Sequence, residues 1–414
     1  MRPNPRQKIY KFYLFYNLLH LITFNFFNSN KTKILTNYFE KNFGTKNTLC
    51  INKGRIGAYL AVKACIKPNK NKIILSPFTI FDVVNMVICA GGVPVFSDVE
   101  KKSVTIDIKS IKENYDEHVA GILITHTHLL NKDIDEIINF SKEKDISLIE
   151  DCAISYGTKR GNKFIGTLGD ISFFSFGIFK FISSLNGGLI IAKDDKVFKK
   201  IINEHDKFNS YDYRGLLQNY LKSIFVTFTT NNIVFKFFTS YIIKLGYKYN
   251  IKFINKFSKN DPNPFLQVKL PENYKKLISP SQSSNILNQI EHYRTDLDAR
   301  MENAKLYYEN LKNINNLIIP KFENNYENSW INFPIQYYER DKLIKFLYEN
   351  NRDVAIYFYR NCNELTIFEK YKNKNLKIIG EVVNDIILLP TYPKYGINQV
   401  LKNIELIKKF FNNE

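Results

Sequence analysis

The chain offers little from which a disulfide framework could be built. Its five cysteines (Cys50, Cys65, Cys89, Cys152 and Cys362) are odd in number, scattered, and form no CxxC pair. Reduced thiols in a cytoplasmic protein fit this pattern better than a secreted scaffold. No Gly-Lys-Ser/Thr follows a glycine-rich loop, which excludes a Walker A phosphate loop. No internal repeat appears. The sequence also lacks an uninterrupted apolar run of the roughly 20 residues that a membrane span requires. Its N-terminus, MRPNPRQKIYKFYLFYNLLHLITFNFFNSN, comes nearest, but Lys11, Asn17, His20 and Asn25 interrupt it and no small-residue cleavage site follows. An interfacial amphipathic helix, or one docked on the protein's own core, is the expectation there.

What remains is ample for a globular protein. With 414 residues, 44% hydrophobic and 24% charged, the chain can bury a large core and is expected to hold two domains. The formal charge of +19 is compatible with nucleic acid, an anionic membrane surface or anionic substrates. Yet the lysines are spread throughout, beside abundant Asn, Ile, Phe and Tyr, as an A/T-rich codon bias would give. The charge therefore singles out no partner, and no nucleic acid is expected.

From about Thr45 onward helix and strand patterns alternate. KGRIGAYLAVKACI has helical spacing, KIILSPF reads as a buried strand, FDVVNMVICAGG as a helix and VPVFSDV as a strand. GILITHTHL, ISLIEDCA, DISFFSF and GGLIIAKD are further strands, with a helix from Asp133 to Lys144 between the first two. Such alternation predicts an α/β domain with a mainly parallel sheet, whose ligands gather at the carboxyl ends of the strands. Thr79, His126 and Asp151 fall there. Between about His205 and Leu270 the text turns aromatic and basic, with lysine every few residues. Two readings stand for it: a membrane-surface element, or a helical subdomain packed on the core or across a dimer. SPSQSSNILNQIEHYRTDLDARMENAKLYYENL reads as one long helix starting at Ser279-Pro280. WINFPIQY, a helix DKLIKFLYENN, IILLPTYP and a final helix complete a smaller α+β domain. The expected division is 1–44 as a basic and apolar segment, 45–270 as a large domain with an insertion near 205–270, and 271–414 as a small C-terminal domain.

Three features carry chemistry. KGRIG opens a helix, so free backbone N–H groups and the positive end of the dipole can hold a phosphate. Glu150-Asp151 ends an apolar strand; taken alone, such a carboxylate reads first as a helix N-cap. Lys180 stands inside SFFSFGIFKFISSLNGG, residues 172–188. The plain alternative is a snorkelling lysine on a half-buried turn. A lysine desolvated by Phe176, Phe179 and Phe181 would instead have a lowered pKa and an amine able to attack an aldehyde. Ser175 adds a hydroxyl, and Gly187-Gly188 permits close backbone approach. Phosphate site, carboxylate and amine together are what pyridoxal phosphate requires.

The order and spacing of these features resemble the DegT/DnrJ/EryC1/StrS family of sugar aminotransferases, which have the fold-type I architecture of pyridoxal phosphate enzymes. IEDCAISYGTKRGNKFIGTLGDISFFSFGIFKFISSLNGG is similar to that family's block of Glu-Asp-x-Ala, Gly, Gly-x-x-Gly-Asp, Ser-Phe-x-x-x-Lys and Gly-Gly, in register throughout. AGGVPVFSDVEKKSVTID, THTHLLNKDID, the helix around Asn288-Gln289 and LLPTYP agree more loosely. The resemblance implies that Lys180 forms the Schiff base and moves the proton during transfer, and that Asp151 pairs with the pyridine nitrogen. It implies further that Ser175 and the backbone at Arg55 and Ile56 hold the phosphate. SPFTIF would lie over the ring, with Ile80 at the stacking position and Ile154 where the family often has Gln near the ring oxygen. Gly177 and Asn186 also replace the family's usual His and Glu. No clear Asn-Tyr-Arg motif precedes the long helix, where the family reaches across a dimer to the neighbouring phosphate; SYDYRG at 210–215 is a poor substitute.

His126 and His128 would share one face of a strand. No third ligand lies close in sequence, so no metal is expected. His126, and Tyr357 from AIYFYR, are candidate substrate-proximal residues; Tyr357 and Tyr359 also read as core. The implied activity is transfer of an amino group from glutamate to a keto-sugar attached to a nucleotide, by a homodimer. The product would serve surface polysaccharide or glycoconjugate synthesis. The cytoplasm is the expected location, with the basic amphipathic segments against an anionic inner membrane face. The alternatives are a non-catalytic membrane-surface member with a degenerate site, and a pyridoxal phosphate sugar dehydratase. The latter branch typically loses the Schiff-base lysine, which is present here.

Overall fold

The computed structural model describes residues 12–23, 30–127, 131–178, 180–249, 251, 264–323, 326–352, 354 and 359–412. Helix α1 (Phe12–Thr23) buries Leu21 and lies beside later helices; α2 (Lys31–Phe43) sends Leu35 and Phe39 fully into the core. Phe39 stacks on Phe176 with ring centroids 5.8 Å apart, so the chain ahead of residue 45 packs directly under the Lys180 loop.

Seven strands form the central sheet. They are β1 (Thr48–Ile51), β2 (Lys72–Leu75), β3 (Val93–Phe96), β4 (Val119–Thr125), β5 (Ser147–Asp151), β6 (Ile171–Ser175) and β7 (Gly188–Ala192), in spatial order β1-β7-β6-β5-β4-β2-β3. The five strands from β6 to β3 are parallel, and β7 runs antiparallel between β6 and β1. Residues of β4 are buried along its whole length, as expected of a strand covered on both faces. Helices α3 (Gly54–Cys65), α4 (Phe81–Cys89), α5 (Ile108–Glu113), α6 (Ile134–Glu143) and α7 (Asp195–His205) supply that cover. The α/β class and mainly parallel sheet expected from the sequence are present.

The segment after α7 forms helices rather than strand. Asp212 accepts the Gly215 N–H at 2.7 Å and caps α8 (Tyr213–Thr229), and a further helix, α9, spans Ser240–Lys248. SYDYRG is therefore a helix cap. No helix among the described residues is long and apolar enough to cross a membrane.

The single long helix expected from Ser279 is two: α10 (Pro280–Ile290) and α11 (Tyr293–Leu311). Ser279 and Gln282 form a reciprocal capping box at its start. The chain turns at Glu291-His292, where the His292 N–H reaches back to the Gln289 carbonyl. Gln289 itself is bound to Ser183 in the Lys180 loop, accepting its N–H at 2.9 Å and donating to its carbonyl at 2.7 Å. Strands β8 (Asn332–Gln336) and β9 (Ile386–Pro390) pair antiparallel and pack with α11, α12 (Arg340–Glu349) and α13 (Ile397–Asn412) around a second core of Tyr307, Phe333, Leu389 and Ile407.

Candidate active site

Strands β2, β4, β5 and β6 end on one edge of the sheet, and β1 delivers the N-terminus of α3 to the same edge. Five separate stretches meet there, as the topology of an open parallel sheet dictates.

The paired carboxylates at the end of β5 point to opposite faces, the period-two consequence of strand geometry. Glu150 is fully buried. It accepts N–H bonds from Gly169 at 2.6 Å, Leu168 at 2.8 Å and Gly166 at 3.0 Å, and lies 2.8 Å from His126 Nε2. Burial alone would raise its pKa; the His126 contact and the glycine N–H groups outweigh that and hold it below the usual carboxylate range. Asp151 faces the ligand edge. Its Oδ1 accepts the Ala153 N–H at 3.0 Å, and burial raises its pKa against the opposing pull of that bond, Lys180 and His126.

Lys180 sits in a tight turn, its N–H bonded to the Gly177 carbonyl at 3.1 Å. Burial lowers its pKa to about 8; Asp151 works against that shift and Arg55 adds to it. Lys180 and Asp151 therefore share one electrostatic environment. The rings expected to desolvate the amine are engaged elsewhere: Phe176 stacks on Phe39, and Phe181 lies under the Arg300 guanidinium. Phe179 lies outside the described residues.

Ser175 and the start of α3 form a cradle. A Cβ added to Gly54 would fall 2.5 Å from Ser175 Cβ and 2.8 Å from Oγ, so only glycine lets the helix start approach the serine. The helix has no side-chain cap. The Ile56 N–H bonds to the Lys53 carbonyl at 3.1 Å, whereas the Arg55 N–H has no partner among the described residues. The Arg55 side chain donates to Tyr274 at 2.8 Å and pairs with Asp82 at 2.8 Å. Lys53 Nζ lies 4.0 Å from the Tyr274 ring centroid. Tyr274 is not among the residues expected from the sequence; its signal is the Asn273-Tyr274 pair just ahead of α10, with Lys275 in place of the arginine of Asn-Tyr-Arg.

Of SPFTIF, Phe78 and Phe81 are buried in hydrophobic cores, and Ile80 is the partly exposed residue. The Thr79 hydroxyl is buried without a partner among the described residues. Ile154 is partly buried, and its carbonyl accepts the Ser329 hydroxyl at 3.1 Å. His126 lies just past β4, its Nδ1 buried and unpartnered among the described residues. His126, Glu150 and Cys152 cluster within reach of a common point, but Glu150 already holds three backbone N–H groups and the ring. Tyr357 and His128 lie outside the described residues. Tyr359 packs edge-on against Phe78, with centroids 5.3 Å apart.

Known proteins resemble this chain over most of its length. The model of the DegT/DnrJ/EryC1/StrS aminotransferase family matches residues 25–255 and 261–407. An uncharacterized protein of Methanocaldococcus jannaschii is 24% identical over 92% of this chain and 89% of its own length. GDP-perosamine synthase of Vibrio cholerae is 29% identical, but over only 40% of this chain and 46% of that enzyme. An aminotransferase from Psychrobacter cryohalolentis superposes with a TM-score of 0.76 at 16% identity, covering 99% of each chain. Helicobacter pylori PseC, an aminotransferase of pseudoaminic acid biosynthesis, does so with 0.74 at 15%, covering 100% of each. At these identities the structural likeness establishes the fold.

Proposed function

The chain belongs to the DegT/DnrJ/EryC1/StrS aminotransferase family, and on that premise we propose that it is a pyridoxal phosphate enzyme moving an amino group from glutamate to a nucleotide-linked keto-sugar. The observation that carries the reading is the meeting of Lys180 and Asp151, each modulating the other's protonation, beside the Gly54–Ser175 cradle.

The residues present fit the coenzyme. The cradle, with the Arg55 N–H and the Ser175 hydroxyl, suits a phosphate at an uncapped helix start. Asp151 suits a ring nitrogen that must stay protonated. When bound, pyridoxal phosphate supplies an aldehyde for amines and an electron sink. Lys180, lowered to about 8, can hold or release a proton near neutral pH, the property a group shuttling protons needs. Glu150, tied to three amides and His126, fixes the end of β5 and so aims Asp151. Ile80 offers an apolar face over the ring position. A visible absorbance band from the purified protein mixed with coenzyme, lost in Lys180→Ala, tests this reading; no band from wild type would sink it.

A sugar substrate is supported by the family and by the enzymes named above; glutamate as the donor rests on the resemblance to the family. A homodimer and a role in polysaccharide or glycoconjugate synthesis rest on the same resemblance. A peripheral position on an anionic membrane face is supported by a separate observation. Residues 213–260 contain no Asp or Glu and eight Lys or Arg. Along the described part of that stretch Phe228, Phe237 and Phe238 are each more than 60% exposed. Basic residues among exposed rings suit an anionic lipid interface.

A further inference from the structure

Helix α8 belongs to the aromatic and basic segment after α7 and lies against the loop that carries Lys180. Val226 packs with Leu185 and Ile178 of that loop, and the Asn186 side-chain amide reaches Asn219 Oδ1 at 3.4 Å. Residues 219, 222 and 226 are spaced by three and four, so they share one face of the helix. Lys222 therefore stands between the two contacts, on the side of α8 that meets the loop.

Its surroundings are short of negative charge. Lys53, Lys180 and Lys222 form no ion pair among the described residues, and Arg55 pairs with Asp82. Burial and then Arg55 lower Lys222; burial, then Arg55 and Lys222, push Lys53 down to about 8. Four cations thus face two carboxylates, Asp82 and Asp151. The excess matches a phosphate monoester, which carries about −1.5 to −2 at neutral pH. Nothing structural is gained by setting like charges together, whereas a bound dianion would offset their repulsion.

We propose that Lys222, supplied by α8 of the same chain, closes over the Gly54–Ser175 cradle and with Lys53 clamps the phosphate bound there. The assignment of that phosphate to the coenzyme rests on the function proposed above; the anion site itself does not. The aromatic and basic segment then has a role at the active site, and α8 becomes a lid whose seating depends on the ligand's charge.

The test is binding by the cofactor-free full-length protein of pyridoxamine phosphate, of pyridoxamine, which lacks the phosphate, and of inorganic phosphate. Lys222→Glu should weaken pyridoxamine phosphate and inorganic phosphate by about tenfold or more while leaving pyridoxamine unchanged, and raising salt should erase the difference. Lys222→Arg should bind as wild type does, which separates charge from packing. Unchanged phosphate affinities in Lys222→Glu, or equal losses for all three probes, would overturn the proposal. If wild type binds inorganic phosphate but neither vitamer, the coenzyme reading fails while the anion site stands.

Discussion

His126 Nε2 lies 2.8 Å from Glu150 Oε2, and neither side chain is exposed. The pair sits one residue from Asp151 and, through Gly166, Leu168 and Gly169, ties the end of β5 to the turn before β6. Glu150→Ala would leave the buried Gly166 and Gly169 N–H groups, the part-buried Leu168 N–H and the imidazole without their acceptor. A loss of about 3–5 kcal/mol of stability is expected, read from urea denaturation of the cofactor-free protein. A loss under about 1 kcal/mol would show that the network is not holding the strand.

Lys180 should make stability depend on pH in a defined direction. An unfolded lysine titrates near 10.4, and the folded one near 8. Between these values the unfolded chain binds more protons, so stability rises with pH across the window and the penalty for a buried cation is full below it. Lys180→Met should therefore exceed wild type in stability by about 1–3 kcal/mol at neutral pH. That advantage should shrink as pH approaches 10. An advantage that grows with pH would contradict a lysine held toward its neutral form.

Gly54→Ala should damage the phosphate cradle, because the new methyl would meet the Ser175 side chain at 2.5 Å. Overpacking of this kind costs about 1–3 kcal/mol; a loss of that size in binding is roughly five- to 150-fold in affinity. Fluorescence titration with pyridoxamine phosphate measures it. Ser175→Ala removes only the hydroxyl and should lose less. If Gly54→Ala binds as tightly as wild type, the cradle is not where the phosphate sits.

Replacing Phe228, Phe237 and Phe238 together with serine should abolish flotation with anionic vesicles and leave thermal stability nearly unchanged, since all three rings are exposed. Wild type remaining with the soluble fraction at both low and high salt would remove the membrane reading.

Much of this arrangement was legible in the sequence because strand ends in a parallel sheet are placed by pattern alone. Asp151, Ser175 and the KGRIG helix start each close a strand or open a helix, so their convergence follows from topology. The neighbours of Lys180 were not legible. Which rings turn toward the core depends on α2, whose Phe39 draws Phe176 away, and on Arg300, which takes Phe181. Tyr274 and Lys222 reach the site from distant segments, and no local periodicity reports a contact of that range. The break between α10 and α11 was hidden for a related reason. Glu291 and His292 are unremarkable in a helix, and the turn is marked by the bonds of Gln289 to the Lys180 loop.

Lys180, of all the lysines, is the amine proposed to meet the coenzyme. Lys53 is the sharpest competitor, since it too is pushed down to about 8. Borohydride reduction of the protein mixed with pyridoxal phosphate, followed by peptide mass mapping, distinguishes them. A single stoichiometric pyridoxyl phosphate label on Lys180, blocked by prior pyridoxamine phosphate, is the predicted result. A label on Lys53, or one scattered over surface lysines with Lys180 unmodified, would contradict it.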